Sequence, residues 1–245
     1  MTTVRLDIEY DGSEFCGWAK QPGQRTVQQE LETALETVLR KPVELTVAGR
    51  TDTGVHAEGQ VASFVTGAEV PANLAQRLNG LGPRDIAVTA AEPAGDGFDA
   101  RRDAASRTYR YRILARRSSS PFQQRRALWW PHKMDYEALE ACATALAGTH
   151  DFTAFTPTQT DHVHFNRNIL NAAWSREGDV VNFHITADAF MRNMVRILVG
   201  TMLEVASGRR SPESFEQLLG GATRPEAGET APPHGLYLES VSYGN

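Results

Sequence analysis

Residues 49–57 read GRTDTGVHA, with Asp52 at the centre, Arg50 two positions before it and His56 four after. A carboxylate in such a setting can act as a nucleophile, a general base or an electrostatic partner for developing positive charge. Asp-Thr-Gly is also the tripeptide of aspartic proteases, in which two copies face each other and share one proton. Here it occurs once. A guanidinium as near in sequence as that of Arg50 is expected to lower the carboxylate pKa by about 1–3 units and hold it ionised. A permanently ionised Asp cannot share a proton, so peptidase chemistry is set aside in favour of charge chemistry of the kind seen at glycosidic bonds. Gly49 and Gly54 permit close approach of a large substrate or unusual torsions, and His56 can donate a hydrogen bond to the loop or reach a substrate. An Asp that only caps a turn fits the same spacing.

A second cluster lies at residues 190–206, where Met191, Met194, Val195, Leu198, Met202 and Val205 make an apolar helical stripe. Arg192 and Arg196 stand as an i, i+4 pair of like charges, unfavourable unless an anion lies beside them or solvent separates them. Asp52 or a phosphate would serve. His162 and His164 in DHVH have the spacing of a metal pair, but no Cys or carboxylate cluster completes a site, so they read as part of a polar loop. Trp129 and Trp130 follow Arg125 and Arg126 and suit either base stacking or a core. No phosphate-cradling glycine loop or dinucleotide fingerprint is present.

Charge is unevenly distributed. The 245 residues carry a formal net charge of −5, yet residues 101–126 hold nine Arg against the single acid Asp103. That band is +8 and the rest of the chain −13, being −5 less 8. It reads as a solvated face or as a phosphate-binding band with Tyr109 and Tyr111 interleaved. Cys16 and Cys142 lack ligand spacing, the N-terminus lacks a signal-peptide pattern, and no stretch approaches the roughly 20 apolar residues of a membrane span. A cytoplasmic protein is expected.

The elements that must position these residues follow from periodicity. Alternation predicts a strand over 3–10. A stripe from Val27 to Leu39 predicts a helix, with Thr26 and Gln29 as its capping box. Strands at 43–48 and 60–66, a helix opened by Pro71, and a strand at 85–91 complete a β-α-β-β-α-β series. The second half nearly repeats it, with strands at 107–114, 168–175, 179–187 and 235–243 and helices at 135–147, 190–206 and 212–219. The expected fold is therefore α+β, two ferredoxin-like halves (1–100 and 101–245) forming a mainly antiparallel sheet with an active-site cleft between them.

Seven separated blocks resemble the tRNA pseudouridine synthase A family in order and approximate spacing. They are YDGSEFCGWAKQ with TVQ, GRTDTGVHA, FDAR, RTYRY, HDFTAF, FMRNMVRILVG and GLYL with the following Val241 and Tyr243. The resemblance implies an isomerase that converts uridine to pseudouridine in the anticodon stem-loop of tRNA, at positions 38, 39 and 40, without metal or organic cofactor and as a homodimer. It implies that Asp52 is the essential aspartate, that Arg50 and Arg196 hold that carboxylate and the nucleotide backbone, and that Tyr109 stacks on the target base and assists proton removal from C5. Thr51, His56, Arg107 and Arg192 fall among the implied substrate-binding positions. Many members have Ala where this chain has Thr53, a basic residue at Thr156 and Asn at Ile197; the last two departures bear on substrate grip.

Overall fold

The computed structural model describes residues 1–160 and 163–244. The strands and helices in chain order are β1 (Thr2–Tyr10), α1 (Val27–Leu39), β2 (Thr46–Val47), β3 (His56–Thr66), α2 (Leu74–Leu81), β4 (Ile86–Pro93), β5 (Ala104–Leu114), β6 (Leu128–Trp129), α3 (Tyr136–Ala145), β7 (Gly148–Asp151), β8 (Asn166–Glu177), β9 (Val180–Ala187), α4 (Met194–Ala206), α5 (Pro212–Gln217) and β10 (Leu236–Tyr243). The fold is mixed α+β with mostly antiparallel pairing, as the sequence implies.

The chain divides into two compact units, Met1–Arg107 with Tyr237–Asn245, and Thr108–Leu236. The sequence places the boundary at 100/101 and the last strand in the second half. In the structure β10 joins the first unit because it pairs in parallel with β3, Tyr237 opposite His56 and Leu238 opposite Ala57.

In the first unit β1 buries Val4, Leu6 and Ile8 on one face, and Arg5 and Asp7 pair at 2.7 Å on the other. This is the period-2 pattern read from the sequence. The strand order β4-β1-β3-β2, antiparallel throughout, is the ferredoxin-like arrangement. Since β1 covers one edge of β3, β2 and β10 share the other. β2 takes Ala62 and Ser63, and β10 takes His56 and Ala57. Residues 48–55 leave β2 and return to β3 at the gap between these two partners.

In the second unit the order is β5-β9-β8-β7, with β6 alongside β5. The β8–β9 hairpin turns at Gly178, whose φ of 60° suits glycine. Helix α4 is apolar on nearly every side, burying Met194, Val195, Ile197, Leu198, Met202 and Val205 among others, and α3 packs beside it.

Three differences from the sequence reading have identifiable physical causes. The strand expected at 43–48 shortens to Thr46–Val47 because the amide of Leu45 donates to the buried carboxylate of Glu32 at 2.9 Å instead of to a strand partner. The Glu32 carboxylate also accepts from Gln28 at 2.8 Å and pairs with Lys20 at 2.6 Å. Thr26 does not cap α1 with its side chain; the amides of Val27 and Gln28 donate to the carbonyls of Gly17 and Trp18 at 3.2 and 3.0 Å. Helix α4 begins at Met194 rather than Phe190 because Asn193 adopts a left-handed conformation with φ 61°.

The Glu32 interaction is testable. Glu32→Ala leaves the buried Leu45 amide without its acceptor and should cost about 1–3 kcal/mol in urea unfolding; an unchanged midpoint and slope would reject the anchor.

Candidate active site

The Asp52 loop is built on the first unit by two chain segments pressed together. A Cβ on Gly12 would overlap the carbonyl of Val55, and one on Gly17, whose φ is +86°, would lie 2.8 Å from the carbonyl of Thr51. Only glycine permits backbone to approach backbone this closely. The amide of Trp18 donates to the carbonyl of Thr51 at 3.0 Å, and the amide of Gly54 to that of Phe15 at 3.3 Å. Because Gly17 and Trp18 also take the first amides of α1, the helix N-terminus and the loop are fixed to the same short strip of chain.

Asp52 stands half-buried at the head of a turn: its carbonyl accepts from the amide of Val55 at 3.1 Å, and Gly54 supplies the positive φ, 77°. A glycine with positive φ at the third position is the type II pattern. Thus Asp-Thr-Gly here is a tight turn that presents a carboxylate. Thr53 is exposed beside it.

Beneath the turn lies a buried polar network. The hydroxyls of Thr51 and Tyr10 are 2.7 Å apart, and Gln60, 0% exposed, donates to the Tyr10 hydroxyl at 3.3 Å and to the Gly49 carbonyl at 2.7 Å. Burial pushes the Tyr10 phenol up to about 12, against the smaller opposing effect of its hydrogen bonds with Thr51 and Gln60. Tyr10 therefore stays neutral and able to donate across the physiological range.

His56 is 1% exposed, with its ring stacked on Tyr237 at 4.6 Å. Its Nδ1 lies 3.1 Å from both the Gly12 amide and Asp11 Oδ1. The amide can only donate, so the neutral ring with its proton on Nε2 satisfies this contact. Asp11 Oδ1 accepts instead from the Ser13 amide and hydroxyl, at 3.1 and 2.7 Å. Of the two roles open to His56 in the sequence, this placement favours holding the loop.

Arg50 is exposed, two residues before the turn that carries Asp52. Arg107 directs its guanidinium to main-chain carbonyls, those of Ala48 at 2.9 and 3.1 Å, Ala104 at 3.0 Å and Arg101 at 2.8 Å.

In the second unit Tyr109 is buried on β5 with its ring edge-on to Phe190 at 4.9 Å. Arg196 donates through Nε to the Ala231 carbonyl at 2.7 Å and through Nη1 to Asn193 Oδ1 at 2.9 Å, while the Ala231 amide returns a bond to the Arg196 carbonyl at 3.0 Å. Arg192 precedes α4, is exposed, and donates to the Gln159 carbonyl at 3.0 Å. The expected i, i+4 like-charge pair is therefore not a helical pair. Tyr111 is fully buried with its hydroxyl on the Pro232 carbonyl at 2.8 Å, and burial raises its pKa.

The arginine band is more differentiated than its charge. Arg101, Arg102, Arg117, Arg125 and Arg126 are exposed, whereas Arg107, Arg110, Arg112 and Arg116 are half-buried. Arg102 pairs with Asp103 at 2.8 Å and Arg116 with Asp179 at 3.3 Å. Thr156 and Ile197, two departures from the family pattern, are buried; the Thr156 hydroxyl donates to the Phe152 carbonyl at 3.0 Å. Among the described residues no group of three His, Cys, Asp or Glu side chains is placed to hold a metal, and no helix is long and apolar enough to cross a membrane. His162 of the candidate metal pair lies outside the described residues. Tyr10, Gln60 and Gly17 were not singled out from sequence, although the YDG and CGW blocks contain two of them.

The sequence pattern of the tRNA pseudouridine synthase family matches residues 8–103 and 142–244, which takes in the Asp52 loop and the Arg196 helix. The chain belongs to this family. A tRNA pseudouridine synthase A from Frankia casuarinae is 44% identical over 99% of this chain and 90% of its own. Those of Bacillus licheniformis and Bacillus subtilis are 41% and 40% identical, each over 99% of both chains. In this pseudouridine synthase the loop scaffold predicts a pH effect. Tyr10 ionises more readily unfolded, near 10, than folded, near 12. Its contribution of roughly 2–3 kcal/mol is therefore fully present below pH about 10 and is lost as the pH rises to about 12. Tyr10→Phe should flatten the fall in unfolding free energy across that window; a fall as steep as the wild type's would exclude Tyr10 as its source.

Proposed function

We propose that this protein isomerises uridine to pseudouridine in the anticodon stem-loop of tRNA, at positions 38, 39 and 40, with Asp52 as the essential carboxylate. The observation that carries the reading is the Asp52 turn, a half-buried Asp whose main chain is fixed to the scaffold on both sides, in a chain with family similarity along its length. The reaction breaks the N1–C1′ bond, turns the uracil and joins C5 to C1′. C5 loses a proton and N1 gains one, so neither water nor a redox partner is consumed. An ionised Asp can serve by attack on C1′, by addition to uracil C6, or as the base on a route through a glycal.

A stacked base must leave its helix before a carboxylate can reach the glycosidic bond, at a cost of a few kcal/mol. Stacking on the Tyr109 ring would return about 1–3 kcal/mol and set its hydroxyl near C5 for proton removal. Arg196, ordered by Ala231 and Asn193, is suited to hold an anion, carboxylate or phosphate, without first losing conformational freedom. Exposed Arg50 and Arg192 are suited to the RNA backbone, and buried Thr51 and His56 to supporting the loop. The family resemblance supports a cytoplasmic homodimer acting without metal or organic cofactor.

The test is pseudouridine mapping on unmodified tRNA transcripts with purified protein and no added cofactor, beside Asp52→Ala and Asp52→Asn. Wild type should modify the anticodon arm, and both variants should bind tRNA without forming product. Product from either variant would remove Asp52 from the chemistry. Bound but unmodified tRNA with the wild type would point to another RNA substrate. For Tyr109, Phe should retain tRNA affinity and Leu should lose it, by about 5- to 150-fold if stacking contributes about 1–3 kcal/mol; equal affinities of the two variants would reject stacking.

A further inference from the structure

Arg107 opens the RTYRY block inside the arginine band, where sequence assigns it to the substrate. Its hydrogen bonds describe a different task. Of the five N–H donors of a guanidinium, four are directed at carbonyl oxygens of the first unit: Nε and Nη2 to Ala48 at 3.1 and 2.9 Å, Nη2 also to Arg101 at 2.8 Å, and Nη1 to Ala104 at 3.0 Å. A bidentate phosphate contact uses two donors of one fork, and four of the five here are already directed at main-chain carbonyls.

The residue it holds is the last before the loop. Ala48 is buried, and its amide already donates to the Val61 carbonyl at 2.9 Å. Arg107 takes the carbonyl on the other side of the same residue. Gly49 follows with its carbonyl on Gln60 at 2.7 Å, and Thr51 with its hydroxyl on Tyr10. The chain therefore enters the turn through successive anchored residues, and Asp52 lies four positions beyond the Arg107 contact. A lysine cannot reproduce this, since a single ammonium cannot span carbonyls on three residues with a planar fork.

We infer that Arg107 is a positioning residue for Asp52: its guanidinium staples the entry of the loop to the segment 101–104 and does not grip tRNA phosphate. This rests on the isomerase reading above.

The experiment compares wild type, Arg107→Met and Arg107→Lys for the single-turnover rate constant at saturating tRNA, the tRNA dissociation constant, its salt dependence, and the thermal midpoint. Asp52→Ala serves as the inactive control. In both Arg107 variants the rate constant should fall by about 10- to 100-fold, the size of effect that small misplacement of a reacting group produces. Affinity should stay within about twofold and the salt slope should be unchanged. A general structural defect would lower the thermal midpoint below the assay temperature and reduce the active fraction, leaving the rate constant of the active molecules intact, which overturns the inference. Weakened binding with a salt slope shallower by about 0.7–0.9 and an unchanged rate constant would make Arg107 a phosphate contact and also overturn it. So would a fully active Arg107→Lys. If wild type forms no pseudouridine on tRNA that it binds, the isomerase reading fails first, a result separable from all of these, and the role assigned to Arg107 falls with it.

Discussion

The close approach of two backbone segments, residues 12–18 and 51–55, is the constraint on which the candidate site depends. Gly12 and Gly17 allow it, because any side chain there would collide with the carbonyls of Val55 and Thr51. The cost is that two main-chain strips with strong hydrogen-bonding groups must be satisfied together. They are satisfied by each other: Trp18 donates to Thr51 and Gly54 to Phe15. The same strip ends α1, so the dipole and amides of that helix are tied to the loop through the carbonyls of Gly17 and Trp18. Arg25 reinforces the strip from outside, its guanidinium over the Phe15 ring at 4.2 Å and paired with both oxygens of Asp85.

Once the loop is held this way, the polar atoms beneath it cannot reach water, and the network of Tyr10, Thr51, Gln60 and Gly49 follows as a requirement. A buried hydroxyl or amide without a partner costs about 1–3 kcal/mol, so each member needs the others. This makes the support stiff in a way that an apolar floor would not be, because hydrogen bonds fix direction as well as distance. The raised pKa of Tyr10 expresses the same exclusion of water. Such a floor limits how far the Asp52 turn can move, and displacements near 1 Å are enough to change the rate of any reaction in which a positioned group takes part.

How far the sequence disclosed this depended on the length scale of each signal. Period-2 alternation in β1 and the apolar stripe of α1 are local, and they lie where expected. The Asp52 motif was visible as a break in alternation, and family resemblance gave it meaning. What stayed hidden was non-local. Leu45 leaves the strand pattern because Glu32, thirteen residues earlier, takes its amide. The last strand belongs with β3 because Tyr237 pairs with His56. Two further features are local but carry no periodic signal: a lone buried Gln60, and the left-handed Asn193 that delays α4 and looks in sequence like any polar helix residue.

Arginine is the residue type whose task the sequence leaves most open, for a physical reason. Its charge suits phosphate, but its planar fork suits carbonyl oxygens equally well, and composition cannot tell the two apart. The band at 101–126 contains both uses. Exposed Arg101 and Arg117 keep their charge at the surface, while Arg107 turns to the carbonyls of Ala48, Arg101 and Ala104 and Arg116 to Ser118, Ser119 and Asp179. Outside the band, Arg196 joins the second group through Ala231 and Asn193. Guanidinium groups bonded to carbonyls lose the freedom that exposed ones keep. Arg107 thereby ties the entry of the Asp52 loop to residues 101–104, while exposed Arg101 and Arg117 leave their charge in solvent, so one residue type serves both loop geometry and surface charge.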